Sequence, residues 1–403
     1  MGSGSTPTAP SDRLVSVDVL RGAALLGILV INIWVFSMPF SVLQNPTVYG
    51  DFTGTNYLVW LAGHVFAQEK FITLFTLLFG AGIILFTRNK DAETARRLHR
   101  RRTAFLLAVG LGHAYLLWYG DILVQYALCG LFVASMRDWE PKELAKTGLL
   151  LLSIPVMMTL VQWLSINPGS PALANLAPSE AALASEIATY RSGWLAQFDH
   201  RASTAFLLQT GGFVSSTFWR LSGLMLWGMA LFKIGVLSNQ RSTGFYYRLL
   251  VGGLVGGLTL TLTGVWYNTA ADWSTREVLF VGSQFNYVGS MLLAGAYIAA
   301  VMLYCRRRVS GPVITGLSAV GRTAFSNYLL QTVLATSIFY GHGLGLFGSV
   351  SRVEQLGIVV GIWAVQITLS VIWLRYYRFG PVEWLWRTVT YETRQPLRKE
   401  KRR

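Results

Sequence analysis

Cysteine is nearly absent. There are two in 403 residues, Cys129 and Cys305, which excludes a disulfide scaffold. Charge is scarce too, at 13% of residues, about half the share of an ordinary soluble domain. Five histidines, with no His/Cys/carboxylate spacing of the ligating kind, argue against a metal site. No GxxxxGK[ST] run and no convincing GxGxxG occurs, so an ATPase or dinucleotide-binding reading has no footing. What is abundant is apolar: 53% of residues are hydrophobic, with 40 Gly, 14 Trp, 22 Phe and 17 Tyr. A soluble core could not hide so much apolar side chain behind so little charge, and the same numbers exclude disorder. Long uncharged runs recur from residue 22 to residue 374. The expected fold class is therefore all-α, a polytopic transmembrane helical bundle. The net charge of +15 would suggest nucleic acid in a soluble protein. Here it reads as topological, with membrane lipids as partners and no nucleic acid.

About 20 apolar residues cross a bilayer as a helix. The pattern places about ten spans, near 19–38, 57–87, 103–119, 121–136, 144–165, 213–235, 246–267, 285–305, 318–340 and 353–374. With ten spans, the two termini and every second loop share one side. That side holds 28 of the 34 Lys/Arg; the opposite side holds only Arg191, Arg201, Arg276 and Arg352, and Lys70 and Arg220 fall within spans. This split follows the positive-inside rule and predicts cytoplasmic termini. The segment 202–217 is apolar enough to be an eleventh span or a re-entrant piece, but a further full span would invert the later loops. Residues 1–13 read as a flexible cytoplasmic tail, 14–392 as one transmembrane domain and 393–403 as a basic cytoplasmic tail. No signal-peptide pattern precedes Asp18. The stretch 179–199 has helical composition and is expected on the outer surface. The sequence leaves the oligomeric state open, a homo-oligomer included.

Ionisable groups at membrane depth are costly and mark partners or cavities. Asp18 and Arg21 stand i, i+3 at the start of span one, where they can pair or present Arg21 to an anionic ligand. Asn32 lies about three turns further on, on a nearby face. Span two carries His64, Glu69 and Lys70, which points to a water-accessible cavity or a structural network. His113 stands eight residues before Asp121 and could accept or relay a proton. In span nine, Asn327 and Gln331 share a face and suit a partner helix or a polar ligand equally. Arg322, below them, reads as a topological anchor or a further anion contact. Glu383 and Arg387 share a face of a short interfacial helix after Gly380-Pro381. The run RRLHRRR holds five arginines, among them Arg97, Arg100 and Arg101, and suits either anionic lipid or a phosphate-bearing donor.

The segments VDVLRGAALLGILVIN, EKFITLFTLLFGAG, GHAYLLWYGDILVQYALCG, GRTAFSNYLLQT and FGPVEWLWR, in that order, resemble the YeiB-type bacterial membrane proteins, a family labelled as a domain of unknown function. The likeness covers about 14–392. The first two spans are also similar, more distantly, to heparan-α-glucosaminide N-acetyltransferase and other transmembrane acyltransferases. The shared pattern is Asp-x-x-Arg-Gly, an Asn near the top of span one, and an acidic residue eleven before a Gly; Asp18, Arg21, Gly22, Asn32, Glu69 and Gly80 match it. That resemblance implies a transfer of an acyl group from cytoplasmic acetyl-CoA, or another acyl-CoA, to a small-molecule, glycan or lipid acceptor, without a metal. Donor phosphates would rest on Arg21, Arg322 and the 96–102 cluster. Asn32 would hydrogen-bond the thioester oxygen, and His64 or His113 would deprotonate the acceptor, oriented by Glu69 or Asp121. Two other readings compete with this one: a transporter or flippase with a polar path, and a non-catalytic scaffold whose polar groups join helices.

Overall fold

A computed structural model describes residues 14–170, 173, 176–308 and 310–400. The expected tail 1–13 and residues 401–403 lie outside them. The described residues form helices joined by turns and loops, with no strand among them and one isolated bridge between Tyr377 and Arg398. Six stretches are long and apolar enough to cross a membrane: Val15–Ser37, Gly54–Thr87, Pro141–Ser165, Thr243–Ala270, Thr275–Arg307 and Arg352–Tyr376. The chain is thus a helical membrane protein.

Helix α1 (Val15–Ser37) is the axis of the bundle. Asp18 in its first turn suits the positive end of the helix dipole, and the apolar run after Arg21 continues it to Ser37. It packs against α3 (Lys70–Thr87), α11 (Ser283–Arg307), α12 (Pro312–Arg322), α13 (Ala324–Phe339) and α14 (Arg352–Tyr376). Gly22 and Gly321 make the α1–α12 crossing possible. A Cβ on Gly22 would meet the Leu317 carbonyl, and one on Gly321 the Asp18 carbonyl. That close approach sets Arg21 and Arg322 side by side at one end of the bundle, called here the Arg21 end. Further helices complete the shell: α4 (Ala92–Leu116), α5 (Leu123–Val133), α6 (Pro141–Ser165), α9 (Phe218–Lys233) and α10 (Thr243–Ala270). Only 28%, 28% and 22% of the apolar stretches of α6, α10 and α14 is buried, against 67% for α1, so those three face the lipid.

The helices depart from the sequence pattern in four places. The second predicted span is two helices, α2 (Gly54–Phe66) and α3, broken at Ala67–Glu69, where Glu69 takes the left-handed conformation (φ 70°). The ninth breaks at Thr323, between α12 and α13. The ambiguous 202–217 segment is neither a full span nor one helix. The twelve residues of α8 (Phe198–Gln209) rise about 18 Å, short of the ~30 Å hydrocarbon core, and a π-turn (Phe213–Thr217) then leads into α9. The end of the chain also folds back: Arg378 N–H donates to Leu397 O (2.8 Å) and Lys399 N–H to Tyr376 O (3.0 Å). The predicted 179–199 helix is α7 (Glu180–Tyr190), with Ser179 as its cap.

The four basic residues assigned to the sparsely charged side all clamp main-chain carbonyls. Arg191 donates to Phe347 O (2.7 Å), Arg201 to Tyr115 O (2.8 Å), Arg276 to Trp163 O (2.6 Å) and Arg352 to Pro46 O (2.7 Å). Each exception to the charge rule therefore has a structural task.

Candidate functional site

One cavity of about 730 Å³ runs along α1, and it collects Arg21, Asn32, His64, Glu69 and Arg322 from the predicted residues. This volume lies in the usual range for small-molecule sites. Along α1 the stretch between Arg21 and Asn32 is apolar, with Leu25 and Ile28 on the wall; Phe75 and Leu106 also line the cavity, and the Glu69–Arg220 pair, Tyr126 and Tyr328 add polar groups to it.

The Arg21 end is basic. Arg21 donates to Asp18 Oδ1 (3.1 Å), as the i, i+3 spacing predicts, and reaches toward Gly321 O (3.4 Å). Arg102 and Arg322 line the same end. The Arg102 guanidinium lies over the rings of Trp386 (4.3 Å) and Phe86 (5.0 Å), which hold it by cation–π contact. Helix α15 (Pro381–Tyr391) supplies Trp386, whose indole N–H donates to Arg102 O (2.8 Å). Glu383 on α15 also lines the cavity and accepts the Phe325 and Ser326 N–H groups (2.7 and 3.1 Å), capping α13. The expected interfacial helix is thus a structural staple on the cavity wall.

The other end holds His64 and Asn32. The His64 ring stacks on Trp60 (4.9 Å), and its Nδ1 meets Gln68 Oε1 at 2.6 Å. The Gln68 amide nitrogen donates to Leu43 O (3.2 Å), which turns its oxygen toward the ring. His64 therefore carries its proton on Nδ1 and leaves Nε2 as an acceptor, the tautomer a general base needs. Asn32 lines the cavity and makes no side-chain hydrogen bond to a described residue, so its amide is free for a ligand.

The break between α2 and α3 frees backbone groups that must be satisfied inside the protein. Lys70, fully buried, answers with its ammonium, which donates to His64 O (2.7 Å) and to Asn286 Oδ1. A cation at the C-terminus of α2 also suits the helix dipole. Glu69 pairs with Arg220 of α9 at 2.9 Å, and Arg220 lies over the Tyr287 ring (4.6 Å). Glu69 therefore does not orient His64; Gln68 does.

Several predicted residues lie elsewhere. His113 and Asp121 pair at 2.8 Å, but both side chains are sealed, at 1% and 0% exposure, and neither lines the cavity. His113 Nε2 is taken by Thr332 Oγ1 (2.9 Å), and Asp121 also accepts Val124 N–H (2.9 Å). Both ring nitrogens are thus engaged in tying α4 and α5 to α13. Asn327 and Gln331 also stand outside the cavity lining. Asn327 donates to Ser370 Oγ (2.8 Å), Gln331 donates to Gln366 Oε1 (3.0 Å), and Gln366 donates back to Asn327 O (2.9 Å). These amides join α13 to α14. Arg97 and Arg100 are exposed and Arg101 pairs with Glu392 (2.7 Å); Arg102 is the member of the cluster that reaches the cavity.

Sequence reasoning thus missed Gln68, Asn286 and the wall position of Glu383, and named Arg102 only within the 96–102 cluster. The i, i+4 spacing of His64 and Gln68 was an available signal, as was the apolar face Leu98, Arg102, Leu106 on α4. Asn286 meets Lys70 across 216 positions, which no local pattern encodes.

These features define a helical membrane protein with a cavity along its central helix, basic at one end and carrying a His–Gln pair at the other. The family model "Protein of unknown function (DUF418)" matches residues 231–393. The chain is 34% identical over 389 residues to "Uncharacterized protein YeiB" of Escherichia coli (strain K12), covering 96% of this chain and 98% of the relative. It is 33% identical over 419 residues to "Uncharacterized protein YxaH" of Bacillus subtilis (strain 168), with 98% of each covered. The chain belongs to this YeiB-like, DUF418-bearing family.

Proposed function

We propose that the protein is a transmembrane acyltransferase of the bacterial plasma membrane, with ten spans and cytoplasmic termini, taking its acyl group from acetyl-CoA or another acyl-CoA. The observation that carries this reading is the division of one cavity between Arg21, Arg102 and Arg322 at one end and Asn32 and His64 at the other, with a fourth arginine on the wall, Arg220, held by Glu69. Eleven residues separate Arg21 from Asn32 on α1, roughly 16 Å of rise. An extended donor with phosphates at one end and a thioester at the other matches that division. Arg21, Arg102 and Arg322 suit phosphate oxygens by charge-assisted hydrogen bonding. The apolar middle suits the arm between. The Asn32 amide would donate to the thioester oxygen as charge develops on it. His64 Nε2 would take the proton of an acceptor hydroxyl or amine. The new bond to the carbonyl carbon forms as the C–S bond breaks, and the proton passes to the departing thiolate.

The test is calorimetry of acetyl-CoA with the full chain in nanodiscs, beside Arg21→Ala, Arg102→Ala and Asn32→Ala. Saturable binding is expected, about tenfold weaker or more in each arginine variant. Asn32→Ala should bind the donor with little change, keep its unfolding temperature and lose about 10²–10³ in turnover. If folded protein binds neither acetyl-CoA, CoA nor longer acyl-CoAs, the reading fails. Substrate flux in proteoliposomes would then support a transport path through the α2–α3 break.

A further inference from the structure

Away from the cavity, Arg201 of α8 is fully buried. Its Nε–H donates to Tyr115 O, while both terminal nitrogens are without a hydrogen-bond partner among the described residues. None of the ion pairs found among them includes it. The guanidinium lies 5.2 Å from the Trp194 ring, and the turn of chain before it packs on Tyr190: Gln197 donates to Tyr190 O (3.1 Å) and the His200 ring lies 5.2 Å from the Tyr190 ring. Tyr190 and Tyr340 are fully buried, their rings are 4.7 Å apart, and neither hydroxyl has a partner. The Tyr119 hydroxyl, from a ring 6.1 Å from Tyr190, is likewise unpartnered.

A guanidinium does not shed its charge in a protein, and a buried charge is normally paired or hydrogen-bonded. After the bond to Tyr115, about four of its five N–H donors remain. The neighbouring acceptor-only atom without a partner is Gln197 Oε1. Glu186, one turn before Tyr190 on α7, accepts Phe40 N–H (3.0 Å). Burial pushes the Tyr190 phenol far above its usual range, so it stays protonated and able to donate. Each Tyr hydroxyl can accept as well as donate, but none accepts from the guanidinium here, so the donors of the cation stay unmatched.

We propose that Arg201, with the Tyr190 and Tyr340 hydroxyls, forms a buried site for a small monovalent anion of the halide class. The anion would fasten α7 and α8 to the ends of α4 and α13. The site is separate from the acyl-donor reading and stands or falls without it.

The experiment is thermal unfolding of the full chain in nanodiscs, in sodium chloride, bromide or gluconate at one ionic strength. Chloride and bromide should raise the unfolding temperature saturably, by a few degrees, while gluconate does not. Bromide should also quench tryptophan fluorescence with the same half-saturation, through Trp194. Arg201→Met should abolish the halide dependence. Tyr340→Phe should move half-saturation to about tenfold higher halide, the loss of one hydrogen bond, and carries the test if Arg201→Met does not fold. Equal unfolding temperatures in chloride and gluconate would overturn the proposal in favour of ordered water. So would a halide effect unchanged in Tyr340→Phe.

Discussion

Glu69 offers the sharpest test of the energetics around the broken helix. Its carboxylate meets Arg220 at 2.9 Å, with 30% and 13% of the two side chains exposed. Removing one partner of a buried pair costs about 3–5 kcal/mol, because the other is left as an uncompensated charge. In Glu69→Gln, Arg220 keeps Ser290 Oγ (3.2 Å), Thr73 Oγ1 (3.4 Å) and the Tyr287 ring (4.6 Å). The expected cost is therefore near the low end, about 3 kcal/mol. The double variant Glu69→Gln/Arg220→Met removes both charges and should return to within about 1 kcal/mol of the parent. A double-mutant cycle in mixed micelles, read by tryptophan fluorescence, should thus yield a coupling of about 2 kcal/mol or more. The backbone adds a second reading. Glu69 holds a left-handed conformation (φ 70°), which costs a non-glycine residue about 1 kcal/mol. In the Arg220→Met background, Glu69→Gly should be more stable than Glu69→Gln by about that amount, since both lack the charge and only glycine relieves the strain. Single costs that simply add in the double variant would refute the pairing, and no gain from glycine would refute the strain.

Two further outcomes follow from the buried polar network. Gln331→Leu should cost about 1–3 kcal/mol by orphaning the Gln366 amide, whereas Gln331→Leu/Gln366→Leu should cost less than the sum of the single changes; chemical unfolding of the three variants decides this. His113→Ala should lose about 3 kcal/mol of stability, since Asp121 is left buried and unpaired, yet keep its turnover per folded molecule. A fall in turnover with unchanged stability would place His113 in the chemistry after all.

The class of fold was legible because apolar runs and scarce charge are local properties. So was the Asp18–Arg21 pair, whose i, i+3 spacing the helix converts directly into contact. The break at Glu69 was not. No Gly or Pro marks Gln68–Glu69–Lys70, and the helix yields there because Arg220 and Asn286, from distant helices, hold its polar groups. The partners of Asn327 and Gln331 were hidden for the same reason, since Ser370 and Gln366 sit on α14. Sequence spacing showed that these amides share a face, not whether that face meets a helix or a cavity. The arginine cluster failed differently. Its count suited anionic lipid or a phosphate-bearing donor without telling its members apart, but a helix distributes neighbours around its axis, and of the five only Arg102 lines the cavity, beside Leu98 and Leu106.

The apolar middle of the cavity has a consequence for the cell as well as for a ligand. A water-filled tunnel joining three arginines to a histidine would let protons leak down their gradient. Leu25 and Ile28 separate Arg21 from Asn32 on the cavity wall, and apolar walls favour dewetting. That apolar stretch opposes a continuous file of water between the polar groups at the two ends.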